Sequence, residues 1–318
     1  MTELYLNERA WLIADDLAAH PRRYRVSVHT LSAGSRVIDA GVDALGGFAA
    51  GRAMAEACMA GLGNVSFVPL MIGDDQYQGV QVWTDHPAMA CMASQYAGWA
   101  VSVGDFFAMG SGPLRAKARV ERELFSKLEY AEDATRGVLV LEGRTLPTDT
   151  VAAYVSERAG LPPSAITFIV APTASTAGAV QIAARVIETG LHKMDALGFD
   201  VRHVVTAAAT APLPPIAKND MGAIGRTNDC ILYGGQARYT VFADDATLED
   251  LAERVPASAS ADYGTTFFEI FERHESNFYK IDKLLFSPGE VWLTSATTGR
   301  TFRGGRLDPT ILHRSLYG

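Results

Sequence analysis

Cysteine is scarce in this sequence: Cys58, Cys91 and Cys230 are the only three in 318 residues. They stand far apart, in apolar or glycine-rich surroundings. Neither a disulfide framework nor a CxxC metal site can be read from them, and buried reduced thiols are expected. Long apolar runs are missing as well. No stretch reaches the roughly 18 apolar residues that a membrane span needs. The opening MTELYLNERAWLIADDL carries acidic residues and no continuous apolar core, which sets it apart from a secretory signal. Positive charge is in deficit, with 28 Lys and Arg against 36 Asp and Glu and a formal net charge of -8. Nucleic-acid partners usually demand a basic footprint, whereas an anionic small molecule needs only one local arginine cluster. Together these absences lead us to expect a cytoplasmic protein with neither a membrane nor a nucleic acid as partner.

Several chemical signatures are also absent. No GxGxxG opens a helix after a strand, and 110-GSGPLRA-116 lacks both the Walker lysine and the dinucleotide spacing. There is no HExxH, no GxSxG and no close Cys-His pair. The 7 histidines are scattered, so no metal site is indicated. No prosthetic group is expected, and any hydrolytic chemistry is expected to run without a metal.

What is present is an ordered, soluble composition, 48% hydrophobic and 20% charged, with 29 glycines for tight turns. The length suits one large or two ordinary domains. Leu6, Ala10, Ile13 and Leu17 predict a helix over about 3–20, stopped by Pro21. Two short strands flank the Ser-Ala-Gly turn before 36-RVIDAGV-42. A helix is predicted over 51–60, strands over 65–72 and 79–85, and a small-residue helix over 87–99. The run 136-RGVLVLEG-143 predicts a strand. The helix after it has Pro147 at its start and Asp149 or Thr150 as its cap.

A buried strand, 165-AITFIVAP-172, then leads into a long helix through 195. A strand over 200–209, a strand or hairpin over 229–243 and a helix over 246–255 follow. An amphipathic helix over 265–282, carried by Phe268, Phe271 and Tyr279, is the last element read, with a break near Ser276. Strand-helix alternation is clearest from 136 to 210 and predicts an α/β fold. Two α/β lobes are expected, residues 1–160 and 161–318, with no linker marked by composition and exchange of segments between lobes left open.

The stretch 183-AARVIETGLHKMD-195 carries the sharpest chemical question. On a helical wheel Val180, Ala183, Ile187, Leu191 and Met194 form an apolar stripe, and Gln181, Arg185, Glu188 and His192 gather opposite. An ordinary surface helix looks like this. Yet 177-AGAVQIAA-184 is almost all small or apolar, which predicts cover on more than one side. In a cleft, a carboxylate there would serve as a base, with the guanidinium holding its charge. Spacing alone leaves both readings open.

Other candidates carry the same ambiguity. The turn 110–116 offers backbone N–H groups and Arg115 as an anion nest, or is a structural turn. Residues 225–235 place Arg226, Thr227, Asn228 and Asp229 before an apolar run read as a strand. That suits a ligand rim or a capped turn. Tyr96 and Trp99, around Gly98, suit ring stacking or plain packing. The run 281–288 reads as the structural end of a helix.

Taken in order, 37-VIDAGV-42, 94-SQYAGW-99, 110-GSGPLRA-116, 183-AARVIETGLHK-193, 226-RTNDCILYGG-235, 263-YGTTFFEIFE-272 and 278-FYKIDKLLFSP-288 resemble the methenyltetrahydromethanopterin cyclohydrolase family nearly end to end. The likeness is stronger to the bacterial, methylotroph-like branch. The resemblance implies a soluble homotrimer in one-carbon metabolism and formaldehyde oxidation, with two α/β parts and a substrate cleft between them. It implies hydrolysis of the cationic N5,N10-methenyl bridge of tetrahydromethanopterin to the 5-formyl derivative. The pterin derivative is then substrate, not prosthetic group.

The family's acid-base glutamate falls on Glu188 and its partner arginine on Arg185. Weaker carry-overs put Gly110, Ser111, Gly112 and Arg115 at a phosphate or the pterin rim, Tyr96 and Trp99 near the ring, and Asn228 and Asp229 at its polar edge. Two rivals stand beside this reading. A methenyltetrahydrofolate cyclohydrolase would need a different fold and a lysine-centred motif that is not visible here. A non-enzymatic cofactor-binding or scaffold protein would have no chemical need of the Arg185–Glu188 pair.

Overall fold

The computed structural model describes residues 4–275 and 280–318. The chain divides into two compact units, each built from two stretches of sequence. The first takes in the chain up to Gly63 together with Met89–Gln181, and the second takes in Asn64–Ala88 with Ile182–Gly318. The strands in chain order are β1 (Ser27–Thr30), β2 (Arg36–Asp39), β3 (Gly63–Ile72), β4 (Asp75–Thr84), β5 (Trp99–Val103) and β6 (Phe106–Ser111). They continue with β7 (Gly137–Glu142), β8 (Ile166–Ala171), β9 (Val204–Pro212), β10 (Gln236–Val241), β11 (Glu290–Ser295) and β12 (Thr301–Gly305).

In the first unit six strands form one sheet in the order β1-β2-β8-β7-β6-β5. The central pairs β2–β8 and β8–β7 are parallel, and the flanking hairpins β1–β2 and β5–β6 are antiparallel. Helices α1 (Leu6–Ala19), α2 (Pro21–Tyr24) and α3 (Phe48–Cys58) precede β3. Then come α4 (Leu114–Ala118), α5 (Arg122–Lys127), α6 (Asp149–Ala159) and α7 (Thr176–Ala183).

The central strands are apolar at most positions because both faces are covered. Ile38, Val138, Val140 and Ile169 join α1 and α3 in one core. Val37, Leu139, Phe168 and Val170 join α6 in the other. The helix expected after Pro147 begins at Asp149, with Thr148 at the N-cap and no side-chain cap bond. Asp149 instead accepts the Ala33 N–H at 3.2 Å. The segment expected as an ordinary helix over 87–99 is π-helical over Ala88–Gln95, and Trp99 already belongs to β5.

In the second unit the order is β12-β11-β10-β9-β4-β3; β10–β11 is a parallel pair, and β9–β10, β11–β12 and β4–β9 are antiparallel. Its helices are α8 (Val186–Ala196), α9 (Asp220–Gly234), α10 (Asp245–Arg254), α11 (Phe267–Arg273) and α12 (Pro309–Tyr317). Here the strands alternate: Val80, Ala209, Ala237 and Val291 are buried while Gln81, Arg238 and Thr301 are exposed. A single boundary at 160 does not describe this chain. β8 is hydrogen-bonded between β2 and β7, and the β3–β4 hairpin pairs with β9, so each unit recruits strands from both halves of the sequence.

Two other expectations are corrected. Residues 229–234 are helical, not a strand, because α9 runs from Asp220 under an Asn219 cap that accepts the Gly222 N–H. The buried positions Ala223, Thr227, Cys230, Ile231 and Gly234 keep helical spacing. The helix over 265–282 is described only as α11, which a Thr266–Glu269 capping box starts. Ser276 and Tyr279 lie outside the described residues. No described helix is long and apolar enough to cross a membrane.

Candidate functional site

The long helix expected through 195 is two helices. α7 ends at Ala183, α8 starts at Val186, and Arg185 is the N-cap between them at φ -82, ψ 1. The Arg185 N–H bonds back to the Ile182 carbonyl at 2.9 Å, a tight turn that resets the helical phase. Glu188 therefore sits in the first turn of α8, where the exposed N–H groups favour a carboxylate.

Arg185 and Glu188 are 7% and 5% exposed. Their nearest charged atoms, Nη1 and Oε2, are 3.8 Å apart. That is an ion pair too long for a direct hydrogen bond. The apolar stripe Val180, Ala183, Ile187, Leu191 and Met194 is buried, but so is this polar face, apart from half-buried His192. A solvated helix face does not look like this.

Two further contacts fix α8 within the second unit. The Tyr239 hydroxyl of β10 donates to the Ile187 carbonyl at 3.0 Å. The Lys193 ammonium, 2% exposed, donates to the Pro256 carbonyl at 2.8 Å. Desolvation pulls the Lys193 group down to about 8.

Asn228 and Asp229 lie on α9. The Asn228 amide donates to the Ile224 carbonyl one turn back at 2.8 Å. Asp229 is fully buried, accepting the Phe267 N–H at 2.8 Å and the Ser315 hydroxyl at 2.5 Å. It ties α9 to the starts of α11 and the body of α12. Burial pushes its carboxyl up to about 7 against the two hydrogen bonds.

The remaining candidates belong to the first unit. Trp99 is 3% exposed and packs in the α6-side core. Gly110 pairs with it across β5 and β6, where a Cβ would come 3.0 Å from the Trp99 carbonyl oxygen. Ser111 is buried, with its Oγ 3.4 Å from Cys58 Sγ. Gly112 adopts φ +92, which favours glycine, and donates to the Ser94 carbonyl at 2.8 Å.

Arg115, expected to face an anion, is fully enclosed. Nε donates to Glu121 Oε1 at 3.0 Å, Nη2 stands 2.8 Å from Oε2 as an ion pair outside hydrogen-bond geometry, and Nη1 donates to the Ser94 carbonyl at 3.1 Å. The guanidinium also lies 5.1 Å from the Tyr96 ring centroid and 5.8 Å from that of Phe125. The structure thus brings Ser94, Tyr96, Gly112 and Arg115 together, with Glu121 as the unforeseen member.

Sequence reasoning also missed Asp39. Its buried carboxylate accepts four backbone N–H groups, from Gly41 and Val42 on Oδ1 and from Asp43 and Ala44 on Oδ2, at 2.7–2.9 Å. The run 39-DAGVDA-44 held that signal, an aspartate before a glycine turn. Among the described residues no group of three or more His, Cys, Asp or Glu side chains is placed to hold a metal ion.

Comparison with known proteins finds similarity along nearly the whole chain. The family model described as Cyclohydrolase (MCH) matches residues 5–316. The methenyltetrahydromethanopterin cyclohydrolase of Methylobacterium organophilum is 44% identical over 314 residues, 98% of this chain and 97% of that protein. The protein of the same name from Methylobacterium sp. (strain 4-46) is 45% identical over the same shares. That from Methanosarcina mazei is 38% identical over 312 residues, again 98% and 97%.

Proposed function

The chain belongs to the MCH cyclohydrolase family, and from that premise we propose that it hydrolyses N5,N10-methenyltetrahydromethanopterin reversibly to 5-formyltetrahydromethanopterin. The observation that carries the substrate is the match over 98% of the chain to relatives that share one name. The observation that supports the residue roles is the buried Arg185–Glu188 pair at the start of α8. Identities of 44% and 45% to Methylobacterium proteins, against 38% to that of Methanosarcina mazei, support placing it beside the methylotroph enzymes. A homotrimer is part of the same proposal, and light scattering checks it.

The bridge carbon lies between two nitrogens that share a positive charge, so it is electrophilic before any catalyst acts. In our reading Glu188 accepts a proton from the attacking water as the oxygen bonds to that carbon. The adduct is neutral. Glu188 then returns the proton to N10 as the carbon–N10 bond breaks, and the adduct hydroxyl loses its own proton to leave the N5-formyl group. One water is consumed and one proton released. The formyl form is therefore favoured tenfold more for each unit rise in pH.

Arg185 keeps Glu188 ionised in a dry setting and orients it, because a buried carboxylate without a cation would take up a proton. A cation beside a cationic substrate is otherwise unfavourable, which is why its role is assigned to the carboxylate. The test is the loss of methenyl absorbance with the parent protein and with Glu188→Gln. Rapid loss that the variant abolishes supports both substrate and base. No loss with the parent protein removes this substrate and leaves the folate or binding-protein readings.

A further inference from the structure

We propose that Tyr239 is a positioning residue for Glu188, admitted to its place by Gly190. This rests on the reading of Glu188 as the base. Tyr239 is 1% exposed on β10, flanked in register by Ala207 of β9 and Leu293 of β11. A phenylalanine would fill the same core volume with no polar atom to satisfy. The hydroxyl is instead delivered to the Ile187 carbonyl at 3.0 Å, one residue before Glu188.

In an α-helix that carbonyl already serves as acceptor for the amide four residues on, so the tyrosine is not needed to satisfy it. What the added bond does is pin the first turn of α8 to the sheet along the helix axis. Gly190 makes the approach feasible. A Cβ there would come 2.1 Å from the Tyr239 oxygen, 3.0 Å from its Cζ and 3.4 Å from Pro288 Cδ. The turn that carries Glu188 thus has a glycine where a helix would favour alanine, and the space is filled by the atom that holds the turn.

Arg185 and Glu188 are 3.8 Å apart, so their relation depends on where the helix backbone sits more than on a direct bond. A shift of about 1 Å in a catalytic group can cost on the order of a hundredfold in rate. Tyr239→Phe removes the pin and keeps the ring. The expected result is a fall in kcat of about tenfold with KM changed less than twofold, because the hydroxyl is buried against a backbone carbonyl.

The deciding experiment measures Tyr239→Phe in the parent protein and again in Glu188→Gln, at enzyme concentrations high enough to read residual turnover. Acting through Glu188, the change lowers kcat in the first background and leaves the second unaltered. Gly190→Ala, which keeps the tyrosine and displaces it, is expected to match Tyr239→Phe and stands in for it if that variant folds poorly. An equal loss in the Glu188→Gln background overturns the proposal, as does an unchanged kcat with a lowered melting temperature. If Glu188→Gln alone turns over like the parent, the base assignment fails first, and the positioning role goes with it.

Discussion

Oε1 of Glu121 occupies the space that a side chain would take at position 98: a Cβ on Gly98 would lie 1.5 Å from it. The glycine thereby leaves room for the carboxylate that pairs with buried Arg115. Gly98→Ala is expected to drive Glu121 off and leave a guanidinium buried without its counter-charge. Breaking one side of a buried pair typically costs roughly 3–5 kcal/mol. Chemical denaturation should show a midpoint shift of that order, and Glu121→Gln, which keeps some hydrogen bonding, a smaller one.

Glu188→Gln should lower kcat by about 10²–10⁴, the usual worth of a positioned base, with KM changed only a few-fold. Arg185→Met should act more gently at high pH than at low. Without its cation the buried carboxylate is harder to ionise. The acid limb of the pH–rate profile therefore moves to higher pH, which initial rates across pH 5 to 9 would read directly.

Asp229 makes stability depend on pH. Its folded value, about 7, lies above the ordinary 3.8, so the native state holds a proton that the unfolded chain has released. Stability is then greatest below about 4 as far as this group is concerned, falls as pH rises towards 7, and levels beyond. Asp229→Asn keeps an acceptor for the Phe267 N–H and a polar partner for Ser315 while removing the charge. Its stability should gain on that of the parent from pH 5 to pH 8 by up to roughly a few kcal/mol, read as a widening gap between the two melting temperatures. A parallel pair of curves would remove Asp229 as the source.

Asp39→Asn should loosen the loop after β2. One of the two oxygens becomes an NH₂ group facing two N–H donors that then lack an acceptor. The cost is roughly 2–6 kcal/mol, since each of the two buried unsatisfied donors costs about 1–3. Hydrogen exchange at residues 41–44 is expected to rise before exchange in β7 and β8.

Most elements were legible because their apolar spacing was clean, as in Leu6, Ala10 and Leu17 of α1. The apolar run 230–233 was not. Its side chains are compatible with either a strand or a buried helix turn, and the cap that decides the matter, Asn219, lies far upstream. The phase break at Ala184–Arg185 was hidden for a similar reason, since nothing in small, helix-favouring residues marks a stop. Arg185 and Glu188 stood out by charge in an apolar run. The partner of Arg115 did not, because Arg119, at φ +48, turns the chain back so that Glu121 meets a residue six positions earlier. No helical or strand spacing foretells that contact.

The interleaving of the two units also has a consequence during synthesis. The β3–β4 hairpin leaves the ribosome early, yet its sheet neighbour β9 begins only at Val204. At roughly 5–20 residues per second, the intervening stretch of about 120 residues takes about 6–24 seconds to be made. Through that time β4 offers an unpaired edge of the kind that templates wrong association. The first unit has all six of its strands once Ala171 is made, so it can close while the hairpin threaded through its sequence is still waiting for a partner.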